Sequence, residues 1–369
     1  MKKLFRYQSI FLYASLQFCG HTEEYFLKNS EKCVVFIVLP RTQGVDNILR
    51  VYIQGKLSSE KVIWSSGNMI LYYALWLFNH WKILLTQFNR DEKFVIISGH
   101  PITFFGITLQ KILRRAKYAY WVGDYYPPVN KILIMFEKLK RYYHRYIDYG
   151  YYLSDRINSI FHDGKIMKTI FRRTIMWGVK PVLTLGKLLP ATHLLSVGLI
   201  KESQGLEYLM DFLKKHTAFR LSIIGFCEQE LYVRFMEIVK KYRLESRIFF
   251  PNKFYPENEL KNFAKQCHIG IALYDEGNKT ATFYTDPGKI KTYTELGLPV
   301  VMTNTSDIQT YVMKYRCGEI VKRNHDALAS ALERISKHYS SYLQGVKQFN
   351  NHFYYDSYYK ESFKALEKI

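Results

Sequence analysis

Short apolar runs, most of them four to six residues long, recur along the whole chain, and each is followed by a segment of helix length. That alternation constrains the fold more than any other feature. A strand that is apolar throughout must be buried on both faces, and only helices packed on both sides of a parallel sheet provide that. In the first half the runs are 10–14, 34–39, 50–54, 95–98 and 118–122, with helical periodicity over 22–29, 69–88, 103–115 and 131–149 and a further strand–helix pair across 157–175. In the second half the strands are 193–197, 220–224, 247–250, 269–273, 299–303 and 319–321. Helices there are expected over 205–215, 228–242, 257–266, 288–296, 308–314 and 325–339, and a terminal helix near 354–366.

A chain of 369 residues exceeds one ordinary core, so two domains are expected. Pro181, Gly186 and Pro190 mark a linker. The expected division is residues 1–178, a linker at 179–192, a second domain at 193–345, and a terminal helix at 346–369 that can cross back to the first domain. The fold class is α/β, two facing doubly wound Rossmann-like units with a cleft between them. Ligands of such sheets sit at the carboxyl ends of the strands.

The formal charge is +21, with eleven Lys/Arg against four Asp/Glu in 131–180. Such an excess implies anionic partners. No zinc, helix-turn-helix or RNA-binding pattern is present, so nucleic acid is not the expected one. Lys138, Lys140, Arg141 and Arg145, interleaved with Tyr142, Tyr143 and Tyr146, fit either an anionic membrane surface or a solvated helix face. The five cysteines, Cys19, Cys33, Cys227, Cys267 and Cys317, form no metal-binding spacing and read as reduced thiols of a cytoplasmic protein. The N-terminal twenty residues read as a first buried strand rather than a leader. The segment 69–88 is broken by Asn79, His80, Trp81 and Lys82, whereas a spanning helix needs an apolar run of ~18 or more. It reads as an amphipathic helix, packed or lying on a membrane.

The segment 284-YTDPGKIKTYTELGLPVVMTN-304 poses a specific question. Asp286 suits an N-cap and Pro287 the first helical position. Lys289 and Lys291 then stand near the positive pole of the helix dipole, which disfavours cations. Read alone, the lysines fit either a solvated helix start or an anion-holding corner, where Gly288 lets a ligand reach the backbone. Two further strand-to-helix corners lie at Gly198–Gly205 and at Gly225. Neither the P-loop nor the dinucleotide fingerprint is present.

In order and spacing, SVGLIKESQGLEYL, LSIIG, RIFFPNKF, CHIGIALY and DPGKIKTYTELGLPVVMTN carry a resemblance. Over roughly 190–322 the chain resembles the donor-binding domain of GT-B glycosyltransferases, in the retaining group called group 1 or family four. ASLQFCGHTEEYFL, YWVGDYYPP and YYLSDRINSIF followed by GVKP are similar to its acceptor domain. Departures are plain. Leu199 stands where the family has Arg, and Gln204 where it has Lys. Tyr284 and Thr292 stand where it has a glutamate pair, and Glu295 lies almost one turn beyond.

The resemblance implies a hexosyltransferase taking a nucleotide-sugar, with retention and without a metal or other cofactor. The donor would lie against Gly198, Gln204, Gly225, Tyr284, Asp286, Pro287, Gly288, Lys289, Thr292 and Glu295, with Lys201 or Lys291 as further cations. Thr292 or Glu295 would take the ribose. For the acceptor side, His100 and Asp124 follow predicted strands. They fit either proton transfer and orientation or, more plainly, a turn residue and a loop cap before Pro127. A glycan or lipid-linked acceptor and a cytoplasmic site, peripheral on the inner face of the plasma membrane, complete the expectation. The alternatives are a catalytically silent GT-B partner subunit and a nucleotide-sugar epimerase.

Overall fold

The computed structural model describes residues 5–15, 20–38, 46–89, 91–98, 116–123, 125, 127–128, 130–144, 147–162, 171–181, 192–276 and 280–368. The chain divides into two compact units, Met1–Gly178 with Tyr355–Ile369, and Val179–Tyr354.

In the first unit the strands are β1 (Tyr7–Ser15), β2 (Ser30–Val38), β3 (Asn47–Ile53), β4 (Lys56–Ile63), β5 (Val95–Ser98), β6 (Lys117–Val122), β7 (Tyr149–Tyr152) and β8 (Phe171–Thr174). They form one sheet in the order β4-β3-β2-β1-β5-β6-β7-β8. The helices are α1 (Thr22–Asn29), α2 (Met69–Gln87), α3 (Lys131–His144) and α4 (Asp155–His162).

Two expectations are corrected here. The sheet is not parallel throughout, because β2–β3 and β3–β4 pair antiparallel. Gln54 and Gly55 both take positive φ (52° and 79°), the geometry of a tight two-residue hairpin turn. Strand β4 escapes a reading by apolar runs because it is an edge strand, solvated along nearly its whole length and carrying Lys56, Glu60 and Lys61. Of the helix expected over 131–149, Lys131–His144 is helical, and Tyr149–Tyr152 is a strand. Three tyrosines and a glycine bury well in a sheet, where aromatic side chains are favoured.

The last helix of the chain, α13 (Tyr355–Ser362), packs on this first unit. Its Tyr359 hydroxyl accepts from the Gly178 amide (2.7 Å) and donates to the Gly20 carbonyl (2.7 Å). Phe363 beyond it meets Trp121 (5.3 Å) and Tyr151 (5.0 Å) edge-on.

The second unit is wholly parallel. Its strands are β9 (His193–Leu199), β10 (Arg220–Phe226), β11 (Ile248–Phe249), β12 (Ile269–Ala272), β13 (Val300–Thr303) and β14 (Gly318–Val321), in the order β11-β10-β9-β12-β13-β14. Its helices are α5 (Leu206–Lys215), α6 (Gln229–Lys241), α7 (Glu257–Ala264), α8 (Ala281–Tyr284), α9 (Gly288–Glu295), α10 (Ile308–Tyr315), α11 (His325–Lys337) and α12 (Tyr339–His352). Local chemistry fixes their ends: the Asn324 side chain accepts from the Asp326 and Ala327 amides, a regular N-cap for α11. Strands β12 and β13 are buried at every position, as a sheet covered on both faces requires.

The strand order fixes where a ligand belongs. From β9 the chain builds outward through β10 and β11, then returns to the other side of β9 with β12. That reversal is a topological switch point, and sheets of this kind take their ligands in the crevice beyond the carboxyl ends of the two strands.

Candidate functional site

Strands β9 and β12 pair only at Leu194–Ile269 and Leu195–Gly270, and then part. Tyr293 fills the gap. Its hydroxyl accepts from the Val197 amide (3.1 Å) on one strand and donates to the Ile271 carbonyl (2.9 Å) on the other. The ring crosses Gly270 so closely that a Cβ there would lie 2.2 Å from it. Helix α9 is thereby pinned over the switch point.

Lys289 lies one turn earlier on the same helix, and residues four apart share a face. Its stem passes over Gly198, where an added Cβ would lie 3.5 Å from Cε and where φ is +94°. Its Nζ donates to Gln204 Oε1 at 2.5 Å. Gln204 closes the turn Glu202–Gln204, and Gly205 follows in the left-handed region. Gly225 backs this corner, since a Cβ there would fall 1.8 Å from the Gly198 carbonyl oxygen. In front of Gly288 no atom stands within 4 Å of a Cβ position, so the first turn of α9 is open.

Electrostatically the corner is unfinished. Burial pushes the Lys289 amine down to about 7, and Lys201 adds repulsion. Its hydrogen-bond partner is a neutral amide, and no carboxylate among the described residues forms an ion pair with it. An anion in the crevice would supply what the protein leaves out.

The two lysines of the motif part company. Lys291 is two residues on, facing away from Lys289. It is buried, its Nζ 3.7 Å from Asp286 Oδ2 and 3.2 Å from the centre of the Phe353 ring. Burial pushes its amine down to about 8 against the pull of Asp286. This corrects the N-cap expectation. Pro287 occupies the cap position with no side-chain hydrogen bond. The Asp286 carboxylate instead offsets a buried cation.

The other named residues are placed as follows. Tyr284 ends α8, half-buried, edge-on to Phe283 (5.0 Å). The Thr292 hydroxyl donates to the Gly288 carbonyl of its own helix (3.2 Å). Glu295 Oε1 accepts from the Lys180 amide (2.6 Å). Leu199 is exposed. Gly198, Gln204, Gly225, Gly288 and Lys289 thus converge on one corner, while Asp286 and Glu295 are engaged elsewhere. His100 and Asp124 lie outside the described residues. Of the basic aromatic stretch, Lys138 and Tyr142 are exposed on α3 and Arg141 turns to Glu137 (3.5 Å). The Lys140 and Tyr143 side chains, and Arg145 and Tyr146, lie outside the described residues.

Arg323 was not legible in the sequence. It ties the loops after β9, β12 and β14 together, donating to the Leu273 carbonyl (2.5 Å), the Ser203 carbonyl (3.1 Å) and the Asp275 carboxylate. The Asp275 amide also donates to the Ser203 carbonyl (2.8 Å). Ser203 precedes Gln204, so this knot holds the amide that meets Lys289. No spacing rule finds a lone arginine whose partners are backbone carbonyls of distant loops.

These two Rossmann-like units give the chain the GT-B fold. Among solved structures it is similar to the E. coli trehalose-6-phosphate protein bound with UDP-2-fluoro glucose, at 11% identity and TM-score 0.70, over 98% of this chain and 99% of that one. It is also similar to sucrose-phosphate synthase from Thermosynechococcus elongatus, at 13% identity and TM-score 0.65, over 98% of each chain. A third is the pneumococcal O-GlcNAc transferase in complex with UDP and GlcNAc, at 10% identity and TM-score 0.63, over 98% and 99%. No family model and no curated protein matches the sequence.

Proposed function

We infer that the chain is a glycosyltransferase that takes a nucleoside-diphosphate sugar and transfers the sugar to a glycan or lipid-linked acceptor. The observation that carries this reading is Lys289, a partly desolvated amine without an anionic partner, at the switch point of a fold whose solved neighbours include complexes with UDP and UDP-2-fluoro glucose. As the glycosidic bond breaks, negative charge develops on the leaving diphosphate. Lys289, the open first turn of α9 and Lys201 would stabilise it there, a cationic field from the protein in the place of a metal. Retention of configuration and a role in cell-surface glycoconjugate synthesis are part of the reading, and rest on the sequence resemblance.

The test is release of nucleoside diphosphate from a panel of nucleotide-sugars, with glycan and polyprenyl-linked acceptors, by the wild-type chain and by Lys289→Ala. Turnover with one donor, lost in the variant, is the expected result. Donor binding with no turnover on any acceptor would favour the partner-subunit reading, for which Leu199, Tyr284 and Thr292 are the motivating departures, with Glu295 already engaged by the Lys180 amide. No binding and no turnover would overturn the inference.

A further inference from the structure

Carboxylates are plentiful in the loops around the Lys289 corner, yet none is given to Lys289. Glu202 and Glu207, on either side of Gln204 in the chain, both meet Arg234 of α6, at 2.6 Å and 2.9 Å. Asp275 meets Arg323, and Asp286 meets Lys291. Glu228, Glu230 and Glu276 are exposed and enter no ion pair among the described residues. The influences on the charge of Lys289 are burial and repulsion from Lys201, with the Tyr274 ring 5.9 Å from its Nζ. Its one hydrogen-bond acceptor among the described residues is the Gln204 amide.

Glutamate has the length of glutamine and would bond an ammonium about twice as strongly. It would also cancel the charge. Glutamine holds the amine in place and leaves the charge to be met from outside. An ammonium can only donate, so the amide oxygen faces it and the amide nitrogen is turned away. Among the described residues nothing accepts from that nitrogen. The backbone that carries the side chain is fixed. The Gln204 amide donates to the Lys201 carbonyl (3.1 Å), and Arg323 holds the Ser203 carbonyl (3.1 Å). Gly205 packs so closely that a Cβ there would lie 2.4 Å from the Leu273 carbonyl oxygen.

We propose that Gln204 is a positioning residue for an oxyanion: its carbonyl oxygen holds Lys289 over Gly198 without neutralising it, and its amide nitrogen donates to the anion that Lys289 attracts. Gln204 and Lys289 then form a two-point clamp for one phosphoryl group, one point charged and the other neutral. Arg234 and Arg323 keep the neighbouring carboxylates out of it. The identity of the anion as a leaving diphosphate rests on the glycosyltransferase reading; the clamp itself does not.

The test is calorimetric titration of the full chain with inorganic pyrophosphate and with UDP, GDP, ADP, CDP and dTDP, beside NMR titration of the Lys289 amine in isotope-labelled protein. Wild type should bind pyrophosphate. Gln204→Glu keeps the size of the side chain and adds a negative charge. It should raise the pH at which Lys289 loses its proton and still weaken pyrophosphate binding by at least about tenfold, since the anion now meets a like charge. Gln204→Met keeps the bulk without the amide and should weaken binding by about three- to tenfold, the range of a neutral hydrogen bond. Lys289→Gln should lose binding, and adding Gln204→Lys should restore most of it, because the two side chains reach one point from two elements. An unchanged melting temperature shows that the variants fold. Gln204→Glu that binds pyrophosphate as tightly as wild type, or leaves the Lys289 titration where it was, would overturn the proposal. So would wild type that does not bind pyrophosphate. The two readings fail separately. Wild type that binds pyrophosphate through this pair but no nucleoside diphosphate would overturn the glycosyltransferase reading alone. Nucleoside diphosphates that bind Gln204→Glu and wild type alike would overturn the clamp alone.

Discussion

At Lys289 the protein holds a primary amine where burial and a neighbouring cation both oppose its charge. The sign of the pH dependence follows. A bound diphosphate favours the ammonium and raises its pKa, so binding above pH 7 takes up a proton. Affinity should be flat below about pH 7 and fall by up to about tenfold per pH unit above it. Calorimetry at pH 8 in buffers of different ionisation enthalpy measures the uptake directly, and Lys289→Met should take up none. His80 makes the opposite kind of statement, about stability. Burial pushes its ring from 6.5 down to about 3. The unfolded chain then binds a proton that the folded chain does not, so the contribution is complete above pH 6.5 and is lost as pH falls toward 3. Unfolding free energy should drop by about 1.4 kcal/mol per pH unit across that window from this group alone. His80→Phe should flatten the acid limb of a denaturation series.

At the scale of elements, α9 shows what a sequence can and cannot tell. Its start is legible because Pro287 and Gly288 are local signals. The division of labour between Lys289 and Lys291 is not. It depends on Phe353, over sixty residues later, and on which face of the helix meets β9 and β12. Strands β9, β10, β12 and β13 are legible for the reason that makes them central: their middles are buried on both faces, so apolar residues dominate, broken only by Ser196 in β9 and Ser222 in β10. Strand β4 and Arg323 are hidden for the converse reason. The one is solvated, and the other acts through carbonyl groups that every residue has. The Tyr293 hydroxyl is the joint that fixes α9 over the crevice. Tyr293→Phe should leave the fold intact and cost about 1–3 kcal/mol, the usual penalty for leaving buried backbone groups unpaired. Urea denaturation checks the cost, and a parallel nucleotide titration should show weaker binding as α9 loosens.

At the scale of the molecule, the chain's last residues complete the unit that its first residues begin. Tyr359, Phe363 and Leu366 are buried in the first unit. Each such side chain contributes about 1.5–3 kcal/mol, and together they approach the whole stability of a small domain. A chain ending at Tyr354 should therefore lose hydrogen-exchange protection in β1, β6 and α1 while β9 to β14 stay protected. Equal loss in both units would contradict that division. The second unit holds the Lys289 corner within itself, since every group that forms it comes from β9, β10, β12, α9 and their loops. The most direct measurement is calorimetric titration of the full chain with UDP, GDP, ADP, CDP and dTDP, beside Lys289→Ala. The account predicts that one or more of them binds, and that the variant binds at least ten- to a hundredfold more weakly, the ~1.5–3 kcal/mol of a charge-assisted hydrogen bond. Binding that Lys289→Ala leaves unchanged, or none to any of the five, would contradict it.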